Sequence, residues 1–175
     1  LRSPENYLGY ERTENFASPD GVAFDTRHVY AAPARLRLNQ WALEGDWTVG
    51  RQATVLNAAD GRIAYRFHAR DLHLVMGPAA GGQPVRFRVL LDGQPPGAAH
   101  GADVDAQGNG TAAEPRLYQL IRQPPPIDCF STQFFFFLTS TVADSAYRTW
   151  AHLTPVEPAL LPPDRFHFEV LEMGD

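Results

Sequence analysis

Apolar residues recur at every second position through most of the middle of this chain, the period of strands with one buried face. From Arg35 onward Leu36 and Leu38 face one way while Arg37 and Asn39 face the other, which predicts a strand leading towards Trp41. WALEGDW then predicts a turn at Gly45-Asp46, flanked by Trp41 and Trp47. There each ring can bury while its indole N–H finds an acceptor. Ala53–Asn57 reads as a further short strand, closed by Asp60-Gly61, a favoured hairpin dipeptide. The cleanest alternation follows, with Ile63, Tyr65 and Phe67 on one face and Arg62, Ala64, Arg66 and His68 on the other. Leu72, Leu74 and Met76 alternate with His73 and Val75 until Gly77-Pro78 stops the run. Val85, Phe87, Val89 and Leu91 alternate with Arg86 and Arg88 before Asp92-Gly93. Leu117, Tyr118 and Leu120 mark a strand after a long glycine-rich loop, and Phe166, Phe168 and Val170 mark the last one.

About seven or eight short strands with turn signals between them, and no amphipathic helix, predict an all-β antiparallel β-sandwich of immunoglobulin or jelly-roll type. Spacing alone does not choose between the two. Residues 1–33 carry no period and are broken by Pro4, Gly9, Pro19, Gly21 and Pro33, so they read as an irregular lead-in. Tyr7, Leu8, Tyr10, Phe16 and Phe24 are too many large apolar groups for a free linker, which predicts that the lead-in lies against the folded body. A short strand is expected near His28–Tyr30. Residues 127–163 break the pattern with four consecutive phenylalanines, Phe134–Phe137, and a proline-rich exit. They are expected to be an insertion, structural or outside the functional domain, and FFFFL has the uncharged, apolar character of an aggregation-prone window.

Length and composition narrow the function classes. With 175 residues the chain fits one domain with extra segments. A net charge of −5, with all 15 basic residues arginine, leaves no basic footprint for nucleic acid. The single cysteine, Cys129, excludes a disulfide framework, a C-x-x-C redox pair and a cysteine-based zinc site within these residues. No apolar run is long enough to span a bilayer, and LRSPENYLGY lacks the layout of a signal peptide. The chain reads as part of something longer.

The candidate chemistry gathers in the 92–115 loop. Asp103, Asp105 and Gln107, with Gly108 at the sixth position and Glu114 at the twelfth, match the spacing of a calcium loop. Strand-like flanks favour a solvated hairpin loop instead. His100 beside Asp103 and Asp105 suggests an acid–base or metal cluster, but a base needs a second group to orient it, so surface roles are expected for His100, His68, His73 and His167. Trp41, Trp47, Tyr65, Tyr118 and Trp150 are candidates for a sugar-stacking platform, with core packing the stronger expectation for Trp41 and Tyr65. Arg62, Arg66, Arg86 and Arg88 fit either an anionic ligand or a solvated sheet face. There is no G-x-S-x-G elbow, and GPAAGG at 77–82 lacks the lysine and helix of a phosphate loop. No catalytic residue, metal or cofactor is predicted.

YLGY, WALEGDW, FHARDLHLVMGP, FRVLLDGQPPGAAHGADVDAQGNG, RLYQLIRQ and DRFHFEVLEMG together resemble the C-terminal domain of DipZ-like proteins over about 1–126 and 164–175. The resemblance implies a carbohydrate-binding-module-like jelly roll at 34–126 and 164–175. It also implies a lead-in at 1–33 arriving from a thioredoxin-like domain, with Tyr7, Leu8 and Tyr10 as the link. The implied function is that of a non-catalytic accessory module of a thiol-disulfide oxidoreductase of the cytochrome c biogenesis type, in an extracytoplasmic or periplasmic setting. Its implied partners are the thioredoxin-like domain, and a client protein or glycan, met through the sheet face and the 92–115 loop; Trp41, Trp47, Asp92, His100 and Tyr118 are the contact candidates that the residues themselves offer. Nucleic acid and direct membrane insertion are not expected. In the family the RLYQLIRQ strand runs almost directly into DRFHFEVL and a further aromatic strand follows, so 127–163 and a bare sheet edge stand out as departures. A free-standing lectin-like module is the alternative function, and a small hydrolase using the His100 loop is a third.

Overall fold

The computed structural model describes residue 3, residues 6–78 and residues 83–123, together with the backbone of four later strands. The strands are β1 (Arg27–Tyr30), β2 (Trp41–Val49), β3 (Thr54–Leu56), β4 (Gly61–Phe67), β5 (Asp71–Gly77), β6 (Val85–Leu91), β7 (Asn109–Ala112) and β8 (Arg116–Arg122). They are followed by β9 (Thr132–Thr139), β10 (Tyr147–Trp150), β11 (Leu153–Pro155) and β12 (Phe166–Phe168). The fold is all-β, and its ladders are antiparallel. The helical element is one 3-10 turn, Gly97–Ala99, and among the described residues no helix is long and apolar enough to cross a membrane.

The strand order β7-β6-β9-β4-β2-β3-β10-β5-β8 changes sheet within β2. Trp41–Glu44 pair with β4, whereas Trp47–Val49 pair with β3 and Gly45–Thr48 with β1. Gly45 stands where the partners change, at φ 96°, a conformation that glycine adopts without Cβ strain. The turn expected at Gly45-Asp46 is therefore a bend in one unbroken strand. Ladder partners on both sides hold the chain extended, and the reversal falls at Asp60-Gly61, with Asp60 at φ 65°. Trp41 and Trp47 end up fully buried on either side of the bend.

Two more expectations are corrected. Residues 35–40 form no strand: Asn39 sits at φ 65° in a turn, and the Gln40 side-chain oxygen accepts a 2.8 Å hydrogen bond from the Arg37 N–H. The alternation there comes from a segment crossing the sheet, which sets Leu36 on the small residues Ala42 and Ala64. Strand β5 is buried along its whole length, so His73 lies in the interior at 6% exposure and not on a polar face. Its side of the sheet is covered from the 92–115 region, where Asp103 lies close enough to His73 for their charges to interact.

The lead-in is bound to the body, as its aromatic content predicts. Leu8 and Tyr30 are buried in the main core, and β1 falls where the short strand is expected. Thr54 Oγ1 donates to the Leu8 carbonyl at 2.7 Å, and the Tyr10 and Glu11 amides donate to Gly50 and Arg51. Phe16 packs edge-on against Trp41 at 4.7 Å and against Tyr30 at 5.7 Å. The Trp41 indole donates to the Glu14 carbonyl, and Ser18 bonds the backbone of Leu43. Phe24 is the exception, at 62% exposure.

The main core draws on both halves of the sheet, with Ile63, Tyr65, Phe67 and Phe87 from one side and Leu56, Leu74, Tyr118 and Leu120 from the other. Phe87 and Tyr118 meet edge to face at 6.1 Å. Strands β9 and β10 lie within 127–163, β9 between β4 and β6 and β10 between β3 and β5, while β12 pairs with β11. Cys129 and Val170 lie outside the described residues.

Candidate functional site

The 92–115 loop is built from its ends inward. Asp92 at φ 49° and Gly93 at φ 79° make a tight reversal, closed by reciprocal hydrogen bonds between Leu91 and Gln94. The chain then passes through the Gly97–Ala99 turn and runs back along β8, where the Gly101 N–H donates to the Leu120 carbonyl and the Asp103 N–H to the Gln119 carbonyl. A Cβ at Gly101 would strike the Gln119 backbone, so this close approach requires glycine. Val104 is buried and anchors the middle of the loop.

Asp103 and Glu114 share Arg116, whereas Asp105 turns to donors of its own loop. Asp103 accepts from Arg116 Nη2 at 2.6 Å and from the Gln119 amide at 2.7 Å. Burial pushes its carboxyl up, but the Arg116 and Gln119 hydrogen bonds and the charges of Arg116 and His73 outweigh that and hold it below the usual carboxylate range. Asp105 accepts from the backbone amides of Asn109, at 2.7 Å, and Gln107, at 3.0 Å, and from the Asn109 side chain. Those donors, Asn109 first, lower its pKa too. Glu114 lies 3.4 Å from Arg116, whose guanidinium stacks 3.9 Å above the Tyr118 ring. The calcium spacing of Asp103, Asp105, Gln107 and Glu114 is thus not gathered to one point. Among the described residues no three His, Cys, Asp or Glu side chains cluster as metal ligands.

The proposed contact residues divide. Trp41, Trp47 and Tyr118 are at most 1% exposed, and their polar atoms are turned to backbone: Trp41 to Glu14, Trp47 to Glu44 and Tyr118 to Glu114. As surface contact residues these three are corrected to core residues, because their apolar area closes the interior. Tyr65 is buried as well, which pushes its hydroxyl pKa up, and the side chain of Trp150 lies outside the described residues. Asp92 and His100 are exposed, and His100 Nδ1 lies 3.0 Å from the neighbouring Gly101 carbonyl. Arg116 and Gln119, which position the loop, were not singled out by sequence. The signal available was E-P-R-L-Y, a carboxylate, a guanidinium and an aromatic ring at alternate positions.

The family model for the thioredoxin-like C-terminal domain matches residues 3–132. The chain belongs to this family. It is also 30% identical over 94 residues to the DipZ proteins of Mycobacterium bovis and Mycobacterium tuberculosis. Those residues are 53% of this chain and 12% of each relative's length, so the chain spans a small part of the proteins it matches. The resemblance of this thioredoxin-like C-terminal domain to that of DipZ-like proteins is borne out. Its matched span begins in the lead-in, at the buried Ser3, whose hydroxyl donates to Asn39 and accepts from the His68 amide.

Proposed function

We propose that this thioredoxin-like C-terminal domain is a non-catalytic accessory module of a DipZ-like thiol-disulfide oxidoreductase, held on the extracytoplasmic side of a membrane. Its two sheet halves close on the Phe87–Tyr118 contact as a jelly-roll sandwich of carbohydrate-binding-module type. The observation that carries the reading is the family match over 3–132, which takes in the lead-in, β1 to β8 and the 92–115 loop together. The lead-in is fastened along β2 and β3, so a preceding domain would join a stiff strap and not a loose tether. The rings that would serve a lectin, Trp41, Trp47 and Tyr118, close the core, which favours protein contact through the outer sheet face and the loop.

The isolated chain is expected not to reduce insulin disulfides in a dithiol-coupled assay. Deleting it from a full-length DipZ-like protein is expected to slow reduction of protein clients while sparing reduction of a small aromatic disulfide. Insulin reduction by the chain alone, or a deletion without effect on protein clients, would overturn the reading.

A further inference from the structure

We propose that Asn109 is a site of spontaneous deamidation, and that the reaction undoes the clasp that closes the tip of the 92–115 loop. Of the five asparagines in the chain, Asn109 is the one followed by glycine; Asn6, Asn15, Asn39 and Asn57 precede Tyr7, Phe16, Gln40 and Ala58. The reaction begins when the backbone nitrogen of the next residue attacks the side-chain carbonyl carbon. A side chain on that next residue crowds the attack, and glycine carries none.

Packing keeps this labile pair in place. A Cβ at position 110 would strike the Phe87 ring, so β7 lies against β6 only with glycine there. Asn109 is held from its other side. Its backbone and side-chain N–H groups donate to the Asp105 carboxylate, and its carbonyl accepts from the Asp105 amide at 2.9 Å.

Register sets how the closed loop protects the bond. The Val89 N–H donates to the Gly108 carbonyl at 2.7 Å, and bonded positions alternate along an antiparallel pair, so Phe87 and Gly110 exchange the next two hydrogen bonds. The nitrogen that must attack is thus occupied while β7 is in place. β7 is four residues long and ends the strand order, so a local opening frees it at far less cost than global unfolding.

In the opened segment the Gly110 nitrogen gives its proton to base and forms a bond to Asn109 Cγ. The Cγ–Nδ2 bond breaks and ammonia leaves, giving a cyclic succinimide. Water opens one or the other imide C–N bond to aspartate or isoaspartate. One water is consumed, one ammonia is released and nothing is oxidised. Neither product closes the clasp again. Isoaspartate adds a carbon to the backbone and shifts the ladder beyond it. Aspartate replaces the donor Nδ2 with a carboxylate facing that of Asp105, and like charges so placed repel. Arg88, exposed and directly opposite position 109 on β6, draws the new charge away from Asp105. The loop tip that Asp105 ties down through the Gln107 amide is thereby loosened.

The test ages the full 175-residue chain in mildly alkaline buffer made with heavy-oxygen water. Peptide mapping by mass spectrometry is expected to find the amide-to-acid mass change, with its label, at Asn109 before any other asparagine. Asp105→Ala removes the clasp but no atom of the reaction, and it is expected to speed conversion about five-fold or more. Asn109→Asp, the aspartate product made directly, is expected to lose hydrogen-exchange protection at the Asp105 and Gln107 amides while β4 and β5 keep theirs. Conversion of another asparagine first, an unchanged rate in Asp105→Ala, or full protection of the loop amides in Asn109→Asp would overturn the proposal. Ageing the native chain needs no substitution, so a variant that misfolds does not shield the idea.

Discussion

The lead-in and the 92–115 loop are both irregular, yet they are held to the body by different forces. The lead-in is held by burial: Leu8 and Tyr30 enter the core, Phe16 caps Trp41, and its backbone bonds lie along β2 and β3. The loop is held by charge and hydrogen bonds: Asp103 on Arg116 and Gln119, Asp105 on its own amides, with Val104 its buried anchor. An irregular segment can therefore belong to a fold without repeating structure, provided its backbone groups find partners. The two kinds of fastening respond differently to substitution and to pH.

Leu8→Ala should have the largest effect. Removing a fully buried leucine from a close-packed core costs about 2–5 kcal/mol, set by how far the site can collapse. Chemical denaturation would read it as a fall in midpoint, and the loss should be the same at pH 7 and pH 4, because the leucine side chain carries no ionisable group and its contribution is apolar burial. A loss below about 1 kcal/mol would mean that the lead-in is not part of the cooperative unit.

Asp103→Asn should come next. The asparagine keeps the shape but gives up the charge-assisted bonds to Arg116 and the Gln119 amide, each of a class worth about 1.5–3 kcal/mol when buried. Arg116 is 41% exposed and Asp103 21%, so water recovers part of this and a loss near 1 kcal/mol is expected by denaturation. Loss of protection at the Gln119 amide in hydrogen exchange should accompany it.

A pH series sharpens the contrast. Asp103 and Asp105 both have folded pKa values below the ordinary 3.8. A group depressed by folding adds stability above its unfolded pKa and loses that contribution as pH falls through the folded one. The gap in thermal midpoint between the native protein and Asp103→Asn should therefore be full at pH 7 and close below about pH 4. The Leu8→Ala gap should not close. An Asp103→Asn gap that did not narrow at all as pH fell below about 4 would remove charge as the cause.

The parts of this fold that follow period two were readable from sequence. Ile63, Tyr65 and Phe67 in β4, and Val85, Phe87 and Val89 in β6, are buried as their alternation predicts. What alternation could not disclose was context. Leu36 and Leu38 mimic a strand because a crossing segment also needs an inward leucine, and Gly45 mimics a turn because a bend between two sheets needs the same positive φ. His73 looks exposed because the loop that covers its side of β5, bringing Asp103 near, comes from a distant part of the chain. The loop shows the same limit on the side of chemistry. Acidic spacing that fits calcium also fits two carboxylates satisfying local amides and one arginine, and only the positions of Arg116 and Asn109 separate the two.

His100→Ala is the smallest expected effect, and it tests whether the loop acts through its backbone or its side chains. His100 has an ordinary extended conformation at φ −63° and ψ 144°, its side chain is exposed, and its ring bonds only with the adjacent carbonyl in the described contacts. Its backbone does the positioning, through the bridge to Ile121 and the glycine that follows. Alanine preserves that backbone, so stability should stay within about 0.5 kcal/mol of the native protein. On the accessory-module proposal, client reduction by a full-length DipZ-like protein carrying the same substitution should be unchanged as well. A substantial loss of client reduction at unchanged stability would place a side-chain function at His100 and reopen the loop as a chemical site.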